Sequence, residues 1–203
     1  MAKIFDLENP VWRFMGKVFD MAVLTVLWFV TSIPLVTIGA STTALYYVCL
    51  KQSQDQEGYI VREFFHSFRE NFKESTKVWL ILAGIGLFLA GDLWWYYQFK
   101  EGVGVMIFFM FLVLTVVYGM ILLYVFPILA RCEVTIRRLF LMAFVMSVKN
   151  FGWTLLIATT AVCIVALGLF VCAPLLILSA GAIGYIHGKI FNLIFRQYHL
   201  VLA

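Results

Sequence analysis

The residue best placed to do chemistry in this sequence is Asp92, the one acidic residue well inside a long apolar run. A carboxylate is expensive in a bilayer, so an intramembrane acid is a functional candidate by default. Asp92 falls about 14 residues into the run that starts near Val78, some 21 Å along a helix and close to the far interface. Trp94, Trp95, Tyr96 and Tyr97 follow it. A carboxylate beside stacking rings suits a sugar or a cation at the outer face. The same residues also read as an aromatic belt with a wetted Asp. No second buried charge is available to partner Asp92, which argues against proton coupling.

Other chemistry lacks its residues. Cys49, Cys132, Cys163 and Cys172 form no CxxC pair and no metal spacing with His66, His187 or His199, and are read as small apolar thiols. No metal and no cofactor is expected. Paired carboxylates, a Ser-His-Asp set, HExxH and a nucleotide-binding glycine fingerprint are missing, so no enzyme is expected. The stretch Val36 to Thr43 has the look of a phosphate loop but lacks the Gly-x4-Gly-Lys spacing and its lysine. A break at Pro34 to Gly39 is expected there instead, followed by a helix capped by Ser41 or Thr42. Acidic residues interleave with the basic ones of the first charged segment, which excludes nucleic acid as a partner.

The elements that must position these residues are set by composition. Of 203 residues, 64% are apolar and 13% charged, against roughly 45–50% and 25% in a soluble domain. A water-soluble globule of this size cannot hide that much apolar surface. Spans crossing lipid must satisfy their own backbone groups, so the expected fold is an all-α, polytopic membrane protein forming a single domain over 1–203. A hydrocarbon layer of about 30 Å needs roughly 20 apolar residues. Five segments qualify: 20–37, 78–97, 103–129, 151–171 and 174–194, the last opened by Pro174. The first twenty residues carry Asp6, Glu8, Arg13, Lys17 and Asp20, so no cleavable signal peptide is expected. Asn9-Pro10 reads as a helix start, and Lys100-Glu101-Gly102 as a tight turn.

Two charged segments, 40–77 and 130–150, separate the spans. On the five-span reading eleven Lys and Arg fall on their side and four (Lys3, Arg13, Lys17 and Lys100) on the other. The positive-inside rule then makes the long segments and the C-terminus cytoplasmic and the N-terminus external; a re-entrant first segment would instead keep the N-terminus inside. Each charged segment contains a helical pattern leading into a span, suggesting a weak internal repeat. Phe65, Phe68 and Phe72 form one stripe, with Arg69 and Lys73 between them. Leu141, Phe144, Val145 and Val148 form another, after Arg137 and Arg138. Both read as interfacial elbow helices on the inner leaflet. Phe65, Phe68, Arg69, Phe72, Arg137, Arg138 and Phe144 are also the candidate contacts for a partner. In the last span Ala180, Gly184 and Gly188 recur every fourth residue beside Gly181, a face on which helix backbones approach closely. Packing within the bundle is one use and a subunit interface the other. His187, next to that face, reads as a hydrogen-bonded packing residue.

Several motifs together resemble a known family. They are Asn9-Pro10-Val-Trp12-Arg13-Phe14, the run from Ser32-Ile33-Pro34 through Ile38-Gly39-Ala40-Ser41-Thr42-Thr43 to Tyr46-Tyr47, Glu57-Gly58-Tyr59, and Phe65-His-Ser67-Phe68-Arg69-Glu-Asn71-Phe72. The sequence is similar to the YesL-like family of small bacterial membrane proteins, long classed as a domain of unknown function. Members are commonly associated with carbohydrate-utilisation systems that include ABC importers. The resemblance therefore implies a non-enzymatic accessory subunit in the cell membrane, with lipid and an importer permease or ATPase as partners. The stretch from Tyr46 through Gly58 to Phe72 has the general shape of the helix-Gly-helix loop by which importer permeases engage their ATPases, in a chain too short for a complete permease. Two alternatives stand beside that expectation: an independent small transporter or channel using Asp92 and its aromatics, and a membrane scaffold or sensor for a cytoplasmic partner.

Overall fold

The computed structural model describes residues 10–54, 58–98, 102–170 and 176–198, and among these every regular element is helical. Seven α-helices follow in order: α1 Pro10–Ser32, α2 Ile38–Gln52, α3 Ile60–Tyr96, α4 Val103–Leu129, α5 Ile136–Lys149, α6 Phe151–Phe170 and α7 Leu176–Gln197, with a short 3-10 turn at Leu35–Thr37 between α1 and α2. The Asn9 cap, Lys100 and Glu101 of the expected turn, and Pro174 lie outside the described residues. Four helical stretches are long and apolar enough to cross a membrane: Met15–Ser32, Ile60–Tyr96, Val103–Leu129 and Phe151–Leu169. The protein is a polytopic helical membrane protein. α7, the expected fifth span, is 22 residues long, but His187, Lys189, Asn192 and Arg196 interrupt its apolar run, and His187 and Asn192 are buried among neighbouring helices.

The first part of the segment expected as a connection between the first two spans is a helix, α2, at the centre of the molecule. α2 carries small and apolar residues in place of a long hydrophobic run, so it escapes a hydropathy reading, yet Ala40, Ala44, Leu45, Val48, Cys49 and Leu50 are all buried. It packs against α1, α3, α4 and α7. The expected break after Ser32 is present, but α2 begins at Ile38, ahead of the anticipated caps. Ser41, Thr42 and Thr43 lie inside the helix, their hydroxyls donating back to the carbonyls of Thr37, Ile38 and Gly39 at 3.0, 2.7 and 2.9 Å, the local bonding that lets these residues sit in a helix interior.

α2 runs antiparallel to both α1 and α3. Against α1, the Trp28 indole donates to Thr42 Oγ1 at 3.1 Å near the break, and Gln52 donates to Asp20 at 3.2 Å at the opposite end. Against α3, Ser75 donates to Thr43 at 3.0 Å, and Lys51 pairs with Glu63 at 3.2 Å. The early part of α1, the α2–α3 connection and the start of α3 therefore share one end of the molecule. α1 and α2 thus form a helical hairpin that packs along the first half of α3.

α3 also differs from expectation. The Phe-rich pattern was read as a separate elbow before a span, but α3 is one uninterrupted helix of 37 residues, about 55 Å long. The sequence explains this, because no Gly or Pro occurs between Ile60 and Ala83 to break it. The Trp79 indole donates to the Leu35 carbonyl at 2.8 Å, which sets the α1–α2 turn near the midpoint of α3. Residues 80–96 continue for roughly 25 Å beyond that level, paired with α4. There Tyr118 donates to the Leu82 carbonyl at 2.9 Å, and Tyr96 stacks on Phe111 at 5.8 Å. Their outer faces are apolar and exposed, with Leu87, Phe88, Met106 and Val113 all above 60%, as suits lipid. The second elbow is separate: α5 ends at Asn150 (φ −108°, ψ 42°) before α6 begins.

The small face of α7 seats it on the core. A Cβ at Gly184 would lie 2.6 Å from Leu45 Cδ2 and 2.7 Å from Cys49 Sγ, and one at Gly188 would lie 2.9 Å from the Cys49 carbonyl oxygen. One at Gly181 would overlap the Met21 backbone of α1. By contrast, nothing lies within 4 Å of a Cβ added at Gly84 on α3. Overpacking a tight contact costs about 1–3 kcal/mol, whereas replacing an open helical glycine gains up to about 1 kcal/mol. Gly184→Leu should therefore lower the thermal midpoint in detergent by several degrees, and Gly84→Leu should leave it level or slightly raised. Equal shifts for the two would contradict the α2–α7 packing.

Candidate functional site

The polar residues that the helices bring together form two buried constellations. The first is centred on Asn192 of α7. Its side-chain oxygen accepts from Arg131 Nη1 at 2.6 Å and from Gln54 Nε2 at 2.9 Å. Its amide donates to the Leu50 carbonyl at 3.0 Å and to the Ser53 hydroxyl. One side chain thus ties the C-terminal end of α2, the α4–α5 connection and α7 together. Arg131 is 7% exposed and lies 5.0 Å from the centre of the Phe195 ring, a cation–π arrangement. Burial draws its pKa below the ordinary guanidinium value; the opposing effect of Cys132 is next in size, and the Arg196 charge adds a smaller lowering. Arg131 remains a cation. Nearby, Asn150 donates to the Tyr198 hydroxyl at 3.2 Å and joins the end of α5 to the end of α7.

The second constellation is Tyr46, His187 and Thr160. His187 is 1% exposed; Nδ1 lies 3.1 Å from the Tyr46 hydroxyl and Nε2 lies 3.2 Å from Thr160 Oγ1. Thr160 donates back to the Leu156 carbonyl at 2.8 Å, which leaves its oxygen to accept from Nε2–H, and Nδ1 then accepts from Tyr46. A neutral imidazole with both nitrogens satisfied bridges α2, α6 and α7. It has the form of a packing residue.

The residues singled out from sequence fall in four separate places. Phe65, Arg69 and Phe72 lie exposed on the outer face of α3, while Phe68 is half-buried between the rings of Phe64 and Phe72. Arg137, Arg138 and Phe144 are exposed on α5. Ala180, Gly184 and Gly188 face α1 and α2. Asp92 sits one helical turn from both Phe88 and Tyr96, which clasp Phe111 of α4 at 6.4 and 5.8 Å. Its Oδ2 is buried with no hydrogen-bond partner among the described residues. Trp94 and Trp95 do not enclose it; they are 75% and 62% exposed. Among the described residues no His, Cys, Asp and Glu group has the arrangement to hold a metal.

The sequence reading passed over Asn192, Arg131, Gln54 and Tyr46. Asn192 left a signal: an amide between Phe191 and Leu193 in an apolar helix must find partners when buried.

A family model described as "Protein of unknown function, DUF624" matches residues 21–93, a stretch that covers the second half of α1, the α1–α2 turn, α2 and nearly all of α3. The "Uncharacterized protein YesL" of Bacillus subtilis (strain 168) is 28% identical over 201 residues, covering 97% of this chain and 95% of that protein. The chain is thus similar to the YesL-like family in both comparisons. No solved structure matches it. The matched stretch holds the α1–α2 turn, its Gly39 close approach and its seat on Trp79: a Cβ at Gly39 would lie 2.6 Å from the Ser75 carbonyl oxygen and from Trp79 Cβ.

The Asn192 hub makes a measurable claim. Hydrogen bonds to a charged group contribute about 1.5–3 kcal/mol. Asn192→Leu should destabilise the protein by about 3 kcal/mol in chemical or thermal unfolding, because Arg131 loses the Asn192 acceptor while staying buried. The double variant Arg131→Met, Asn192→Leu should be more stable than Asn192→Leu alone, since an apolar pair replaces a buried charge that has lost one of its hydrogen bonds. Additive losses would show that the two residues do not act together.

Proposed function

We propose that this chain is a non-enzymatic accessory membrane subunit of an ABC-type carbohydrate importer, meeting the permease or ATPase through the outer face of α3. The observation that supports this reading is the character of that face. Arg62, His66, Arg69, Glu70, Lys73, Glu74 and Lys77 are exposed along it, with Phe65 and Phe72 between them at 37% and 38% exposure. Phenyl rings set among charges of both signs suit a protein surface better than lipid, and the alternation can fix a register with a complementary partner. The helix is continuous with the membrane hairpin, so contact at one end is carried to the other. The shared end of α1, the α2–α3 connection and the polar start of α3 is proposed to face the cytoplasm, where its basic residues belong. The family's usual association with carbohydrate-utilisation systems supplies the class of partner.

Affinity purification of the full chain in mild detergent, from cells grown on inducing sugars, should recover a permease and an ATPase. Arg69→Glu, Lys73→Glu should reduce that recovery about tenfold without changing the chain's own yield. Recovery of the chain alone under all inducing conditions would refute the assignment. Disrupted signalling with unaltered sugar uptake would point to a sensor.

The buried, unpartnered Oδ2 of Asp92 favours a second reading as an independent small transporter. In that case the pure protein in liposomes conducts or transports, and Asp92→Asn abolishes the flux. Flux that is absent, or unchanged by the substitution, removes this reading.

A further inference from the structure

We infer that α5 and the adjoining end of α7 form a docking surface for the phosphate headgroups of anionic phospholipids in the leaflet they face. After Glu133 the chain contains no Asp or Glu to its end, while Arg137, Arg138, Lys149, Lys189 and Arg196 all lie in that stretch. The net charge of +4 therefore arises entirely in the C-terminal third. Four of these bases lie along α5 and at the adjoining end of α7. Arg137, Arg138 and Lys149 are exposed on α5, and the Asn150–Tyr198 hydrogen bond at 3.2 Å brings the last turn of α7, with exposed Arg196, beside the end of α5.

The apolar half of the surface identifies lipid as the occupant. α5 buries Leu139, Ala143 and Met146 against the bundle and turns Leu141, Phe144 and Val148 outward at 64%, 42% and 52% exposure. These three lie on one stripe at helical spacing, with Arg138 and Lys149 on its flank about a quarter-turn away. Beyond the break at Asn150, Phe151 and Leu155 are exposed at 59% and 57% on the membrane helix α6. An apolar strip on a short helix that leads into a membrane helix, edged by bases and free of acids, is the pattern of a helix embedded at the headgroup boundary of an anionic leaflet. The outer face of α3 is the contrast: its bases alternate with Glu70 and Glu74, leaving no single sign for an anionic surface to attract.

The test uses the full-length protein in neutral detergent, titrated with phosphatidylglycerol or phosphatidylcholine in mixed micelles. Bound lipid is counted by native mass spectrometry and thermal unfolding is followed in parallel. Phosphatidylglycerol should be retained and should raise the midpoint more than phosphatidylcholine does. Arg137→Gln, Arg138→Gln, Lys149→Gln together should weaken apparent phosphatidylglycerol affinity by about a hundredfold, near fivefold per base, while Arg69→Gln, Lys73→Gln leaves it unchanged. Each comparison is made between two lipids on one variant, so a loss of stability alone does not imitate the result. If the triple variant does not fold, the single Arg137→Gln and Arg138→Gln variants should each show the fivefold loss. Equal retention of the two lipids by the parent protein would overturn the inference, as would an undiminished preference in the variants. An equal response to inorganic phosphate, or an acidic protein co-purifying in place of lipid and lost in the triple variant, would also overturn it.

Discussion

A helix that breaks within an apolar environment strands backbone carbonyls where water cannot reach them, and the arrangement of this protein follows from how one such break is satisfied. At the α1–α2 turn the Thr37 hydroxyl lies 2.6 Å from the Thr31 carbonyl and 2.7 Å from that of Pro34, and the Trp79 indole donates to that of Leu35. Each unsatisfied group would cost several kcal/mol in lipid. The turn is therefore tied to α3 at one level, and the absence of a side chain at Gly39 lets α2 descend in contact with Ser75 and Trp79. Once that level is fixed, α2 has a single path, back along α1 and down α3, and α7 can only enter along the face that remains.

The consequence is a division of the molecule along α3. On one side of the turn lies a compact bundle, with α2 at its centre and polar residues gathered at the common end. On the other side α3 and α4 continue as a hairpin whose outward faces are apolar. These halves expose different chemistry. The first half of α3 carries both signs of charge with scattered phenyl rings, whereas α5 and the end of α7 carry bases alone beside an apolar strip. A surface of the first kind discriminates among proteins by register; one of the second kind responds to the sign of a membrane.

The all-α membrane fold, the α4 and α6 spans and the break near Pro34 were legible because each rests on local pattern: length of an apolar run, or a proline with its neighbours. The role of α2 was not legible. Its 15 residues include Gly39, Ser41, Thr42 and Thr43, a composition that reads as a connection because small residues signal close packing only when the neighbour is known. The continuity of α3 was hidden for the opposite reason. Charged residues before Lys77 mark a change of environment, which hydropathy registers as a boundary although the backbone has none. His187 was legible as a packing residue. Asn192 was not, since its partners come from sequence positions more than sixty residues away on two other elements.

The dependence of α2 on α7 bears on how the chain is made. Leu45 and Cys49 meet Gly184, a residue synthesised well over a hundred positions later. Through most of translation α1, α2 and α3 must wait in or beside the membrane with that face uncovered, and the Asn192 hydrogen bonds to Leu50, Ser53 and Gln54 are the last to close. Completion of the core is thus coupled to completion of the chain. A chain that stops before α7 therefore leaves an unfilled groove on α2 where Gly184 and Gly188 would sit.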